Sequence, residues 1–133
     1  MPELGKYAKV PRPESVALLL KYLMSNKTIA DIEHPEEQIF IIHRNGKSDL
    51  KTFLTNIYIV SLADVCEIMA LVPDLQVIIT LSAWNSYTND AKEYCKKQQI
   101  GLFKFKEFLG AVYYDGKNFL DYISPEDRKP HLS

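Results

Sequence analysis

The chain has 133 residues, of which 47% are hydrophobic and 25% charged, as expected for one globular domain with its own core. A formal net charge of −1 excludes a general electrostatic attraction to nucleic acid or to an anionic membrane, although local charged patches remain open. The N-terminus has no apolar signal segment, and no apolar run approaches the roughly 20 residues of a membrane span. We therefore expect a cytoplasmic protein without membrane contact.

Residues 1–133 are expected to form a single α/β domain, with an irregular arm at 1–12 and a polar tail at 124–133. The two cysteines, Cys66 and Cys95, fall in helical segments and have neither a CxxC partner nor a histidine in metal spacing. This pattern predicts two buried thiols in a reducing compartment, and it implies no metal and no cofactor.

The first half of the chain predicts a helix followed by strands. Pro13 suits a first helical turn, and apolar residues recur from Val16 at helical spacing. Short apolar runs then predict strands at TIADIEH, QIFIIHR and NIYIVSL (28–34, 38–44 and 56–62), with NGKSD as a turn. His43 and Arg44 are expected to mark the exposed end of the second of these strands.

The second half predicts alternating helices and strands. Helical spacing returns in ADVCEIMALVP, and the nearly continuous apolar run QVIITLS is typical of a strand covered on both faces. Thr88 is the expected N-cap of the next helix, followed by the short strand IGLFKF and the short helix KEFLGAVYY. The order predicts an α/β fold with a mixed central sheet flanked by helices.

This order, α-β-β-β-α-β-α-β-α, resembles the restriction-endonuclease-like or PD-(D/E)xK fold. Residues 77–112 resemble the closing half of the Mrr-type endonuclease domain: an apolar strand, a small polar loop, a helix, a short strand and an acidic-hydrophobic last helix. The positions that carry the resemblance are Thr88 and Ala91 from loop to helix, Ile100, Gly101 and Leu102 in the strand, and Glu107, Phe108 and Leu109 in the last helix.

Nucleases of this family place an acid at the start of the second core strand and an acid-x-Lys on the third, where carboxylates bind a divalent metal. Glu36 and Glu37 stand at the head of the second predicted strand, but the predicted third strand, 56–62, has no acid-x-Lys. The resemblance therefore implies a catalytically degenerate nuclease-like domain without a catalytic or metal site. Such a domain would act as a nucleic-acid-binding or accessory interaction module in a bacterial, archaeal or phage setting.

Two alternatives stay open. The chain could be an active metal-dependent nuclease whose carboxylates have moved to Asp31 or Glu33 with Glu37, although that acidic cluster is equally typical of a solvated turn. It could instead be a homodimer or a protein-interaction module that uses its aromatic C-terminal end. Most of those aromatic residues are expected in the core, and the candidates for such a contact surface are Tyr113, Tyr114 and Phe119.

The polar loop SAWNSYTN is the candidate site for DNA or RNA. Loops at the carboxyl ends of strands form the ligand crevice of α/β sheets, and the N-terminus of the following helix suits a phosphate. Five lysines against Glu93 between residues 92 and 106 could follow a nucleic-acid backbone. The predicted nucleic-acid-binding residues are Ser82, Trp84, Asn85, Tyr87, Thr88, Lys92 and Lys104. In the competing interpretation, the aromatic residues cap the core and the lysines form a solvated face.

Overall fold

The computed structural model describes residues 10–125, so the N-terminal residues 1–9 of the predicted arm and residues 126–133 of the predicted tail lie outside the described part. Within 10–125 the chain forms five helices and seven strands. In chain order these are α1 Pro13–Met24, β1 Ile29–Glu36, β2 Ile39–Arg44, β3 Leu50–Thr55, β4 Ile59–Val60, α2 Leu62–Leu71, β5 Val77–Thr80, β6 Ser86–Tyr87, α3 Asn89–Lys97, β7 Gly101–Lys104, α4 Phe105–Ala111 and α5 Gly116–Leu120.

The central sheet has five strands in the order β1-β2-β3-β5-β7. The first three form an antiparallel meander, whereas β3, β5 and β7 run parallel to one another. The short strands β4 and β6 pair in parallel as a separate small sheet. The predicted α/β class with a mixed central sheet is thus confirmed, and the carboxyl ends of three parallel strands meet at one end of the sheet.

Helices cover both faces of the sheet. One core cluster joins α1, α4 and α5 to one face, and the other joins α2 and α3 to the opposite face. All four residues of β5 are buried, because its side chains alternate between the two clusters. The apolar run at 76–82 is therefore a strand covered on both sides, as its composition predicts.

The predicted third strand at 56–62 is wrong. The third strand of the sheet is β3, and only Ile59–Val60 of the predicted segment is extended and paired. Ser61 ends that segment because its side chain and that of Asp64 form a reciprocal capping box that starts α2. Lys51 makes the sequence of β3 look unlike a strand. In the structure the Lys51 ammonium reaches out of the sheet and donates to the Pro73 carbonyl at 2.8 Å.

The predicted burial of both cysteines is half right. Cys95 is buried on the inner face of α3, but Cys66 is exposed. The apolar stripe of α2 that faces the core contains Val65 and Ile68, and Cys66 lies beside this stripe. A residue one position from a helical stripe lies about 100° around the helix, which turns Cys66 towards solvent.

Arg44 does not mark an exposed strand end, because its side chain is fully buried. The guanidinium donates to the carbonyl oxygens of Val112 and Tyr114, at 2.9 and 2.6 Å, and pairs with Asp115 at 3.0 Å. The connection between α4 and α5 thus folds over the end of β2, and the five N–H donors of one guanidinium make such a junction specific.

Candidate nucleic-acid interface

A buried network of hydroxyl and amide groups lies at the carboxyl ends of β3 and β5. The side-chain oxygen of Asn56 accepts hydrogen bonds from Ser82 Oγ and from Asn85 Nδ2, the latter at 2.9 Å. Asn85 Nδ2 also donates to Thr80 Oγ1, which in turn donates to the Ile57 carbonyl at 2.6 Å. These bonds tie the loop after β5 to the loop after β3, so the predicted site residues Ser82 and Asn85 both serve to fix the loop.

A crevice of about 230 Å³ opens beside this network, between the loop after β5 and the start of α4. It lies at the carboxyl ends of parallel strands, where ligands bind in α/β sheets. Ammonium and hydroxyl groups at its wall suit an anionic oxygen group such as a phosphate. The lining residues are Ser82, Ala83, Lys104, Phe105, Lys106, Glu107 and Ser124.

Trp84, the single tryptophan of the chain, stands next to the crevice residue Ala83 and is 64% exposed. It does not cap the core, contrary to the competing interpretation of the loop. Tyr58 borders the same loop, because its carbonyl accepts the amide of Ser86 at 2.8 Å, and it is 61% exposed. The sequence did not single out Tyr58, since the apolar run around it suggested a strand in the sheet.

Tyr87 is engaged inside the protein. Its hydroxyl hydrogen-bonds both carboxylate oxygens of Glu107 at 2.8 Å, and Glu107 Oε1 also accepts the backbone amide of Lys104 at 2.9 Å. Glu107 is only 4% exposed although it contributes to the crevice wall. The hydroxyl of Tyr87 therefore fixes Glu107 in the wall of the crevice. Stacking of a base on the Tyr87 ring stays a prediction.

The side chain of Lys92 lies between β7 and the ring of Tyr87. Its Nζ donates to the Leu102 carbonyl at 2.6 Å and lies 4.3 Å from the centroid of the Phe103 ring and 5.2 Å from that of Tyr87. Burial lowers the pKa of Lys92 to about 8, and the carboxylate of Glu107 opposes that effect. A contact of this ammonium with a phosphate stays a prediction; its present contacts are internal.

Thr88 is the N-cap of α3, as predicted. Its Oγ1 accepts the amide of Ala91 at 3.3 Å and also bonds the carboxylate of Asp90. Asp90 thus brings a negative charge to the first turn of α3, where it complements the positive end of the helix dipole. A phosphate at this helix end would meet that carboxylate. The crevice wall also holds one carboxylate, that of Glu107, but it carries two lysines, Lys104 and Lys106, beside it.

The register of the sheet shows where a nuclease motif would have to stand. Because β2 and β3 are antiparallel, the start of β2 lies beside the end of β3, and Gln38 exchanges hydrogen bonds of 2.8 and 2.9 Å with Leu54. The end of β3 reads Leu54, Thr55, Asn56, with neither an acid nor a lysine. An acid-x-Lys that the sequence analysis did not place on a strand, Asp49 to Lys51, lies at the opposite end of β3.

One acidic residue of β1, Glu33, takes part in a different cluster. His43 lies between two carboxylates, with Nε2 on Glu33 and Nδ1 3.0 Å from Asp49 Oδ1. Both hydrogen bonds raise the pKa of His43, and the one to Glu33 has the larger effect. Among residues 10–125, no group of three or more His, Cys, Asp or Glu side chains is arranged to hold a metal ion.

The aromatic C-terminal end divides into core and surface. Phe119 packs edge-to-face on Phe103, with ring centroids 5.0 Å apart, and is buried, so its predicted place on a contact surface is wrong. Phe119 and Leu120 are the buried residues of the short helix α5. Tyr113 and Tyr114 are exposed, and their use in a homodimer or a protein contact stays a prediction.

Comparison of the chain with protein-family models, with curated proteins and with solved structures finds no match. None of the helices within residues 10–125 is long and apolar enough to cross a membrane. The geometry of the crevice and its surroundings is therefore the basis for assigning a function.

Proposed function

We propose that this chain is a non-catalytic nucleic-acid-binding module whose phosphate site is the crevice between the loop after β5 and α4. The observation that carries the proposal is that Lys104 and Lys106 line the crevice and that an exposed tryptophan, Trp84, stands beside it. A nucleic acid offers anionic phosphates and flat apolar bases, which are the two chemistries that lysine and tryptophan bind.

The distribution of charge supports the same site. The outer strand β1 carries exposed carboxylates at Asp31, Glu33 and Glu36, whereas β7, at the other outer position of the sheet, leads into Lys104 and Lys106. An anionic backbone is thus repelled from one edge and attracted to the other, although the net charge of the chain is only −1. Binding at the β7 edge needs no general positive charge.

A relation to the restriction-endonuclease-like fold is part of the proposal. It is supported by the succession of α1, three antiparallel strands, α2, β5, α3 and β7 around one mixed sheet. The place beside the start of β2 where acid-x-Lys would bind metal is taken by Thr55 and Asn56, and Asn56 is used in the hydrogen-bond network of the loop. We therefore assign binding without metal-dependent cleavage.

The test is the salt dependence of binding to fluorescently labelled DNA and RNA oligonucleotides, followed by anisotropy. The double variant Lys104→Glu/Lys106→Glu should lose at least about 10-fold in affinity at low salt, and its salt slope should fall by about 1.5 to 2, since two phosphate contacts disappear. The matched control is Lys27→Glu/Lys47→Glu, which changes the net charge equally in the turns beside β1 and β2. The control should bind within about 2-fold of the unaltered chain at the same salt.

Two results would overturn the proposal. The absence of binding to either nucleic acid at low salt would remove the function, and equal losses in the two double variants would remove the site. Incubation of the same oligonucleotides with Mg²⁺ or Mn²⁺ tests the non-catalytic part. Metal-dependent cleavage that is lost in Asp31→Ala, Glu33→Ala or Glu37→Ala would favour the active nuclease with relocated carboxylates.

A further inference from the structure

Resting on the proposed function, we infer that the ligand of the crevice is single-stranded nucleic acid, with bases stacked on Trp84 and on Tyr58. Both rings are more than half exposed. Trp84 belongs to the loop that forms one wall of the crevice, and the Tyr58 carbonyl accepts the Ser86 amide at the end of that loop. In a duplex the base faces are already stacked on each other, whereas a single strand presents them to flat side chains.

Trp84 is displayed on a fixed loop. The residues on either side of the exposed segment, Ser82 and Asn85, are buried and bonded to Asn56, and the amide of Asn85 also closes a turn onto the Ser82 carbonyl at 2.9 Å. An exposed indole normally retains freedom that binding must remove. Here the buried network has removed much of the backbone freedom beforehand, which favours a binding role for the exposed ring.

Tyr58 is held in a similar way at a neighbouring position. The carbonyl of Ile57 accepts the Thr80 hydroxyl at 2.6 Å, and the carbonyl of Tyr58 accepts the Ser86 amide at 2.8 Å. The adjacent Ile59 is also exposed, and β4 pairs with β6, which directly follows the loop that contributes Ser82 and Ala83 to the crevice. We define the stacking surface as Tyr58, Ile59 and Trp84.

Charge and apolar area together favour a single strand over a protein partner. A strand that passes from the stacking surface to the crevice can place bases on the rings and a phosphate near Lys104 and Lys106. A folded acidic partner would match the lysines, but nothing about it would demand two exposed aromatic rings on anchored backbone. A preference for such a partner is one of the outcomes that the experiment separates.

The experiment uses the fluorescence of Trp84, which is the only tryptophan in the chain. The full chain is titrated at low salt with oligo(dT) of about 12 nucleotides, a length that matches the site sizes of single-strand binders. A separate titration uses a hairpin duplex of equal phosphate content. Stacking should quench the tryptophan emission saturably with oligo(dT), and the duplex should bind at least about 10-fold more weakly without comparable quenching.

Variants then test the two rings by anisotropy with labelled oligo(dT). Trp84→Ala and Tyr58→Ala should each weaken binding by about 5- to 100-fold, the effect of one lost stack, whereas Trp84→Phe retains a ring and should lose less. Tyr113→Ala is the matched control, because Tyr113 is exposed to a similar degree outside the stacking surface. It should bind within about 2-fold of the unaltered chain.

The outcomes distinguish this inference from the proposed function. Equal binding of duplex and oligo(dT) without quenching, with the loss in Lys104→Glu/Lys106→Glu preserved, would overturn the single-strand inference and leave the proposed function standing. Binding of neither nucleic acid would overturn both. Quenching by an acidic polypeptide such as poly-Glu equal to that by oligo(dT) would also overturn the inference, since charge alone would then explain it.

Discussion

The two outer edges of the central sheet differ in charge and in how they shift the pKa of a basic side chain. At the β1 edge, exposed carboxylates surround His43 and raise its pKa. At the β7 edge, Lys92 lies against the rings of Phe103 and Tyr87, and burial lowers its pKa to about 8. At the β1 edge, His43 therefore keeps its proton to a higher pH than an ordinary histidine. At the β7 edge, Lys92 loses its proton at a lower pH than an ordinary lysine.

The difference teaches that the sheet order, and not the net charge of −1, decides what each surface can bind. Acids and lysines that are interspersed along the chain become separated because β1 and β7 occupy opposite outer positions. Lys92 and Glu107 make their contacts within the fold, whereas Lys104 and Lys106 line the crevice. The following changes should separate these two roles.

The largest effect is expected from Glu107→Ala. The change removes the acceptor of the Tyr87 hydroxyl and of the Lys104 amide, and it removes the carboxylate that most favours the charged form of the half-buried Lys92. We expect a loss of about 3–5 kcal/mol in the free energy of unfolding, measured by urea denaturation. Glu93→Ala, an exposed partner of Lys96, is the control and should change stability by less than about 0.5 kcal/mol. Similar effects of the two changes would contradict the structural role of Glu107.

A second change, Lys92→Met, should alter the pH dependence of stability. The pKa of Lys92 is about 8 in the folded chain, below the ordinary lysine value of 10.5, so between these values the unfolded chain binds more protons. Stability should therefore rise with pH across this window, by at most about 1.4 kcal/mol per pH unit from this group. The variant should lack this contribution, whereas Lys97→Met, at an exposed position, should retain it. An identical pH profile in both variants would contradict the internal position of the ammonium.

A smaller effect of opposite sign is expected at the β1 edge. Because the hydrogen bonds that its ring donates to Glu33 and Asp49 raise the pKa of His43, its contribution to stability is complete below pH 6.5 and is lost as the pH rises through the folded value. Urea denaturation at a series of pH values should show this decline in the unaltered chain and a flatter profile in His43→Gln. Glu33→Gln and Asp49→Asn should each reduce the decline; a decline unchanged in all three variants would contradict the cluster.

The smallest effect is expected for the stability of Trp84→Ala. The side chain is largely exposed, and its loop is held by Ser82 and Asn85, so the free energy of unfolding should change by less than about 0.5 kcal/mol. Equilibrium unfolding followed by circular dichroism measures it without relying on the tryptophan. A loss of several kcal/mol would assign the ring to the fold and remove the distinction between binding surface and core.

Local patterns in the sequence predicted the elements whose sequence signal is itself local. The apolar run of β5 and the Thr88 cap of α3 both occur where they were expected. The strand β3 was missed because Lys51, Thr52 and Thr55 interrupt its apolar residues, and the segment looks polar until the long lysine side chain is seen to leave the sheet. A strand paired on both sides owes its existence to neighbours distant in sequence.

The candidate site was predictable in position but not in the role of each residue. The loop after β5 was found because polar and aromatic residues follow a buried strand. Which of them are used internally depends on partners such as Asn56 and Glu107, which are 26 and 20 residues away from Ser82 and Tyr87, respectively. No local spacing could indicate that Lys92 is turned inward or that Tyr58 is exposed beside the same loop.

The most direct test of the account is a map of backbone amide chemical shifts of the ¹⁵N-labelled chain during titration with oligo(dT). We expect saturable shifts concentrated at residues 82–87 and 104–106 and at Tyr58, with the acidic strand β1 unchanged. Shifts concentrated on β1 or on Tyr113 and Tyr114, with the crevice residues unaffected, would contradict binding at the β7 edge.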